Sequence, residues 1–201
     1  MEPFLAIGPR ASAGTREQMG SKAFNLSRMA ALGLNVPQAF VLPTSWCSPG
    51  DAARGPLTPA EIDHLAAAVR QLELATGLAF GAERRPLLVA VRSGAPQSMP
   101  GMMDTLLNVG LNEETLSGLL RLTGNPRLTW DSYRRLIRQF AEIVDGCEAR
   151  PFDQAVARIL RQERVPSLAE LDHRGLRAMA AEVLEIHAEL AGHRFPRAPM
   201  E

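Results

Sequence analysis

The sequence is poor in cysteine. Cys47 and Cys147 are the only two in 201 residues. They lie far apart and in no metal or redox spacing, which fits a reducing compartment. Excess charge of either sign is also missing, since 22 Lys plus Arg balance 22 Asp plus Glu. That excludes bulk electrostatic binding of nucleic acid or of an anionic membrane, and leaves room only for a local cationic site. No apolar run is long enough to span a bilayer. Met1-Glu2-Pro3-Phe4 lacks the basic region and apolar core of a secretory signal. The cytoplasm is therefore the expected location. No internal repeat or low-complexity segment is visible. His173, His187 and His193 show no metal-type spacing or carboxylate constellation, so they are read as structural or exposed, and no metal ligand is assigned.

Lysine is the scarcest charge. Lys22 is the only lysine, and every other basic side chain is arginine. Lysine is a compact point charge on a thin stem, whereas arginine is a planar fork. A lone lysine in an arginine-biased chain marks a place that a guanidinium would not fit. The bland alternative is one surface lysine that survived by chance. Lys22 follows Gly20-Ser21, which reads as a helix start with Ser21 as N-cap and Gly33 as the stop. A cation in a first helical turn opposes the helix dipole. A bound anion reverses that sign, because backbone N–H groups plus one ammonium make a phosphate site. This is not a Walker A loop: the glycine spacing is one residue too long and the order is Ser-Lys.

The stretch from Pro86 to Asn112 organises the rest. Leu87 to Val91 is a short apolar run that reads as a buried strand. It ends on Arg92, a charge placed to face a site or a carboxylate, and then on Ser93-Gly94. Pro100-Gly101 is a turn signal crowded by Met99, Met102 and Met103. A turn tip is normally polar, so this one is expected to pack against something. Leu106 to Leu111 is a second apolar run. One reading is an ordinary β-hairpin; the sharper one is a backbone-lined anion site between two strands.

Elsewhere, residues 39–42 form a strand candidate. Thr58 and Glu61 make a capping box for a helix over 59–76, on whose polar side His64 faces solvent. Trp46 and Cys47 are assigned to packing. After Asn112 the pattern becomes helical throughout: 113–122 capped by Asn112, 127–145, 152–163 and 173–191, with a second capping-box pattern at Ser167 to Glu170. On 127–145, Trp130, Tyr133, Ile137, Phe140 and Val144 share one face. Asp131, Arg134, Arg135 and Arg138 lie around the other side and read as a solvated stripe. The predicted class is α+β, with an α/β portion over 1–111, a helical portion over 112–191 and a tail over 192–201.

Three segments together resemble the N-terminal nucleotide-binding region of pyruvate, phosphate dikinase. They are Gly20-Ser21-Lys22-Ala23-Phe24-Asn25-Leu26 with Leu32-Gly33-Leu34-Asn35-Val36-Pro37; Val91-Arg92-Ser93-Gly94-Ala95 with Ser98-Met99-Pro100-Gly101-Met102-Met103-Asp104-Thr105; and Trp130-Asp131-Ser132-Tyr133-Arg134-Arg135. The second is the most specific, and Phe195-Pro196 resembles the segment leading back from a helical insert. The resemblance implies an ATP-grasp-like nucleotide-binding unit carrying a helical insertion. It implies that Lys22 and Arg92 contact ATP phosphates, with Arg92 as the catalytic candidate. It places the Gly101-Met102-Met103 turn over the transferred phosphates, with Thr105 beside it.

It also implies ATP with Mg²⁺ as cofactor, the metal-binding carboxylates lying beyond position 201 together with the phosphohistidine and pyruvate-binding domains. Those remaining domains, or a second copy of the chain, are the implied partners besides the nucleotide. Ser21, Ala23 and Pro96-Gln97 depart from the family pattern, the last by replacing a basic dipeptide. Two other functions stay open at this point: a non-catalytic nucleotide or phosphate-binding regulatory module, and a structural remnant.

Overall fold

The computed structural model describes residues 5–7, 14–46, 57–93 and 105–198. The chain divides into two compact units. One takes Met1–Leu78 with Arg92–Asp104, the other Ala79–Val91 with Thr105–Glu201. Helices and short strands are mixed, as the α+β assignment expects.

In the first unit, β1 (Leu5–Ile7) pairs antiparallel with β2 (Ala39–Val41), Ala6 opposite Phe40. Helix α1 (Arg16–Ala31) lies on this ribbon. Ile7, Met19, Ala30 and Val36 form its buried centre, with Phe24 and Leu26 against them. The helix starts earlier than its sequence predicts. Thr15, not Ser21, is the N-cap: its hydroxyl accepts the Gln18 N–H at 3.3 Å, and the Gln18 amide oxygen accepts the Thr15 N–H at 3.0 Å. Gly20 still marks a boundary, because its φ of 76° and ψ of 159° interrupt the helix. At the far end Gly33, at φ 77°, closes a Schellman pair: Gly33 N–H to Ala30 O and Leu34 N–H to Met29 O.

Helix α2 (Pro59–Thr76) has the predicted bounds. Thr58 and Glu61 form the reciprocal box, and Gly77, at φ 67°, ends the helix. Trp46, in the 3₁₀ turn Thr44–Trp46, is buried, as its assignment to packing requires. His64 does not face open solvent. Its ring lies 6.3 Å from that of Trp46 and its Nδ1 is buried, because the wide indole covers that side of α2. Cys47 falls outside the described residues.

In the second unit, the run predicted as one buried strand is split. β3 (Ala79–Phe80) pairs parallel with β4 (Pro86–Leu87), and β5 (Val89–Arg92) pairs with β6 (Thr105–Val109). Leu87 is buried but Val91 is 52% exposed. The apolar run changes partner strand at Leu88, and its second half is left open on the surface. Four helices follow: α3 (Leu116–Thr123), α4 (Pro126–Ile143), α5 (Ala149–Glu163) and α6 (His173–Ala191). α4 packs on α6 and β6, and α5 packs on α6. Leu136, Ile137, Phe152, Leu176, Met179 and Val183 are the centre of that core.

Asn112 caps the turn over 113–115 rather than the regular helix, which begins at Leu116 with Thr115 at its N-cap position. The Asn112 side-chain oxygen accepts the N–H groups of Glu114 and Thr115 at 3.0 and 2.9 Å. The Ser167–Glu170 pattern closes a turn rather than a helix, with Glu170 N–H bonding Ser167 O. Asp172 caps α6 instead, accepting the N–H groups of Arg174 and Gly175. The stripe on α4 is not simply solvated. Arg134 is buried and pairs with Asp131, which also holds Arg135 at 2.8 Å; Arg138 bridges Glu142 and Asp153 at 2.7 and 2.8 Å. Each cation has a carboxylate one helical turn away or on α5, so the charges neutralise one another locally.

Candidate functional site

The first candidate centres on Lys22. Because the helix breaks at Gly20, Lys22 stands in the first turn of the segment that follows, and its side chain is exposed. Contacts on both sides of the break hold it in place. Met19 is buried, the Thr44 hydroxyl donates to Glu17 O at 2.6 Å, and the Arg16 guanidinium lies 5.5 Å from the centre of the Phe24 ring. Arg92 is exposed at the end of β5, and Thr105 is half-buried at the start of β6. Lys22 and Arg92 fall in the same compact unit, Thr105 in the other. Gly101, Met102 and Met103 lie outside the described residues.

The second site was not legible in the sequence. Asp145 follows α4, His187 sits near the end of α6, and His193 follows the cap glycine Gly192. His187 Nε2 is 2.7 Å from one Asp145 oxygen, and His193 Nε2 is 3.3 Å from the other. The three groups form a two-imidazole, one-carboxylate cluster whose ligand atoms lie within 4.8 Å of one another. This corrects the reading that no carboxylate accompanies the histidines: α4 and α6 pack side by side and bring their C-terminal ends onto one spot. His187 is fully buried, edge-on to Phe140 and Phe195 at 6.0 and 5.9 Å.

The segment after α6 is fastened nearby. Phe195 meets Phe140 edge-on at 5.3 Å, and the Asn112 side-chain amide donates to Arg197 O at 2.6 Å. The Arg194 carbonyl, aided by the lesser effect of Asp145, holds the His193 pKa above its ordinary value although desolvation works against it. Burial and the same carboxylate push up the thiol of Cys147. The one cue to this cluster in the sequence is that His187 and His193 straddle a helix-ending glycine.

No family model matches the sequence. Curated relatives do. The pyruvate, phosphate dikinase of Clostridium symbiosum is 35% identical over 191 residues, covering 94% of this chain and 22% of that enzyme. The enzyme of Entamoeba histolytica is 35% identical, over 92% of this chain and 21% of its own length. That of Rhizobium meliloti is 36% identical, over 94% and 21%. The chain is a relative of pyruvate, phosphate dikinase. It spans about a fifth of the length of the dikinases it matches. The likeness to these dikinases runs over nearly the whole chain, so it takes in residues of both units.

Proposed function

We propose that this chain is the ATP-binding portion of a pyruvate, phosphate dikinase-like phosphotransferase, built on an ATP-grasp-like fold and not competent for full turnover alone. The observation that carries the reading is the exposed ammonium of Lys22 in the first turn after the Gly20 break. A helix start offers backbone N–H groups and positive partial charge, and a flexible ammonium beside them completes a phosphate site. Arg92 is the second phosphate ligand and the catalytic candidate, because phosphoryl transfer needs positioning and charge neutralisation more than covalent help. Gly101, Met102, Met103 and Thr105 are further nucleotide-binding candidates on the strength of the sequence resemblance alone.

The donor set suits a polyphosphate: one point charge, one fork and a helix start. Mg²⁺ is expected to ride on the phosphate oxygens, with its carboxylate ligands supplied from outside residues 1–201. It is not a natural guest of the Asp145 cluster, since Mg²⁺ prefers an all-oxygen shell. The nucleotide, the remaining dikinase domains or a second copy are the partners, in the cytoplasm.

Calorimetric titration of the full chain with ATP and Mg²⁺ tests this. Loss of one charge-assisted phosphate contact in Lys22→Ala or Arg92→Ala is expected to weaken binding roughly 10- to 100-fold. Lys22→Arg should not restore it, because the fork replaces a point charge. Unchanged affinity in both alanine variants overturns the assignment. Absence of ATP binding by the unmodified chain overturns it in favour of a structural role.

A further inference from the structure

The Asp145–His187–His193 cluster has a contact that needs a cation, either a proton on His193 or a metal ion. His193 Nδ1 lies 3.1 Å from the Arg194 carbonyl oxygen. A carbonyl only accepts, so Nδ1 carries the proton. In the neutral ring that leaves Nε2 as a lone pair, and it points at a carboxylate oxygen 3.3 Å away. Two acceptors facing each other call for a cation between them. The same bond from Nδ1 to a backbone carbonyl is the outer-shell contact that orients a metal-ligating histidine and fixes its tautomer.

We propose that Asp145, His187 and His193 bind a divalent transition-metal ion of the Zn²⁺ or Co²⁺ class through the carboxylate and both Nε2 atoms. Two imidazoles and one carboxylate are the donor types such ions select, whereas Mg²⁺ and Ca²⁺ select oxygen. With metal–ligand bonds of about 2.0–2.1 Å, tetrahedral ligand atoms sit roughly 3.3 Å apart. The separation of 3.3 Å from His193 Nε2 to Asp145 Oδ1 meets that, while His187 faces the other oxygen, Oδ2, so the carboxylate either binds through both oxygens or turns to present one to the ion. The His187–Asp145 separation of 2.7 Å is a hydrogen bond and opens by about half an ångström when metal replaces the proton. His193 keeps its tautomer. The His187 proton moves from Nε2 to Nδ1, which is buried beside the Phe140 and Phe195 rings and has no other partner.

The Asp145 side chain is 14% exposed and that of His193 53%, so the ion has a path in and water completes its shell. The metal ties the end of α4, the end of α6 and the segment after Gly192 together. Its role is to fasten that returning segment, and it is independent of the nucleotide reading.

The test uses the full chain stripped with a chelator. Titration with Co²⁺ is expected to give the visible absorption of an imidazole-ligated centre at one equivalent, and Zn²⁺ is expected to compete it away and to raise the thermal midpoint. His193→Ala removes an exposed ligand without touching the core. It is expected to lower Co²⁺ affinity about tenfold or more, as is Asp145→Asn. His173→Ala, outside the cluster, should bind as the unmodified chain does. Absence of Co²⁺ absorption together with an unchanged midpoint in Zn²⁺ overturns the proposal, leaving a proton as the cation between Asp145 and His193. So does Co²⁺ binding that His193→Ala and Asp145→Asn leave intact, or equal stabilisation by Mg²⁺.

Discussion

Replacing Gly20 with alanine tests the link between backbone geometry and the phosphate site. Gly20 holds φ 76° and ψ 159°, a conformation essentially restricted to glycine. A side chain there costs about 1–3 kcal/mol if the conformation is kept. The chain has one escape, which is to run the helix straight through position 20, where alanine is better than glycine by about 0.5–1 kcal/mol. Straightening re-aims the turn Arg16–Met19. It pulls Met19 from its buried seat and strains the 2.6 Å bond from the Thr44 hydroxyl to Glu17 O. Exposing a buried methionine costs about 1.5–3 kcal/mol, more than the helix gain returns.

Keeping the break and straightening it therefore cost similar amounts, so the unit should lose about 1–3 kcal/mol, roughly a 5- to 150-fold rise in its unfolded population, and the molecules that straighten lose the helix start at Lys22. Trp46 and Trp130 are the only tryptophans and fall in different units, so denaturation is followed by Trp46 fluorescence in a Trp130→Phe background. Gly33→Ala is the control, at a similar φ of 77° with nothing within 4 Å of the added carbon. It should cost stability without changing ATP affinity, whereas Gly20→Ala should lower both. A Gly20→Ala chain as stable as the parent, binding ATP equally well, refutes the reasoning.

The chain has one tyrosine, so its titration can be read in isolation. Burial of Tyr133, with a smaller contribution from Glu113, raises its pKa to about 12. Ultraviolet titration of the folded chain should show a midpoint near that value, against about 10 in denaturant. The folded pKa is raised, so this contribution to stability is intact below about pH 10 and is lost as pH rises toward 12; a folded-state midpoint at 10 would contradict the burial. A carbon added at Gly118 would lie 2.4 Å from the Glu83 backbone oxygen and 2.6 Å from Pro86 Cδ. Gly118→Ala should therefore destabilise the second unit by about 1–3 kcal/mol in chemical denaturation, and an unchanged midpoint would mean that α3 stands off the Glu83–Pro86 turn.

Where the sequence states its own boundary, prediction and structure agree. Thr58 and Glu61 with Pro59 place the start of α2 and Gly33 places the end of α1, because each signal is local chemistry. The failures share a different cause. Ser167–Glu170 has the right letters for a capping box, but Asp172, five residues on, offers a carboxylate to two N–H groups and takes the helix start. Leu87 to Val91 is uniformly apolar, and nothing within it says that its halves pair with different strands. Arg134 reads as solvated until α4 is packed and Asp131 closes over it. Lys22 was legible through its rarity and through Gly20, both visible in one dimension. The Asp145 cluster was not, because its members are 42 and 48 positions apart and meet only when two helix ends converge.

The interleaving of the two units has a practical consequence for dissecting the molecule. The chain passes from one to the other after Leu78, again after Val91 and again after Asp104. A single protease nick or a single truncation point thus cannot release either unit intact. During synthesis the first unit waits for residue 104 to leave the ribosome, although most of its residues have emerged long before. An expression strategy that aims at the second unit alone has to delete Arg92–Asp104 and rejoin Val91 to Thr105 by a short linker.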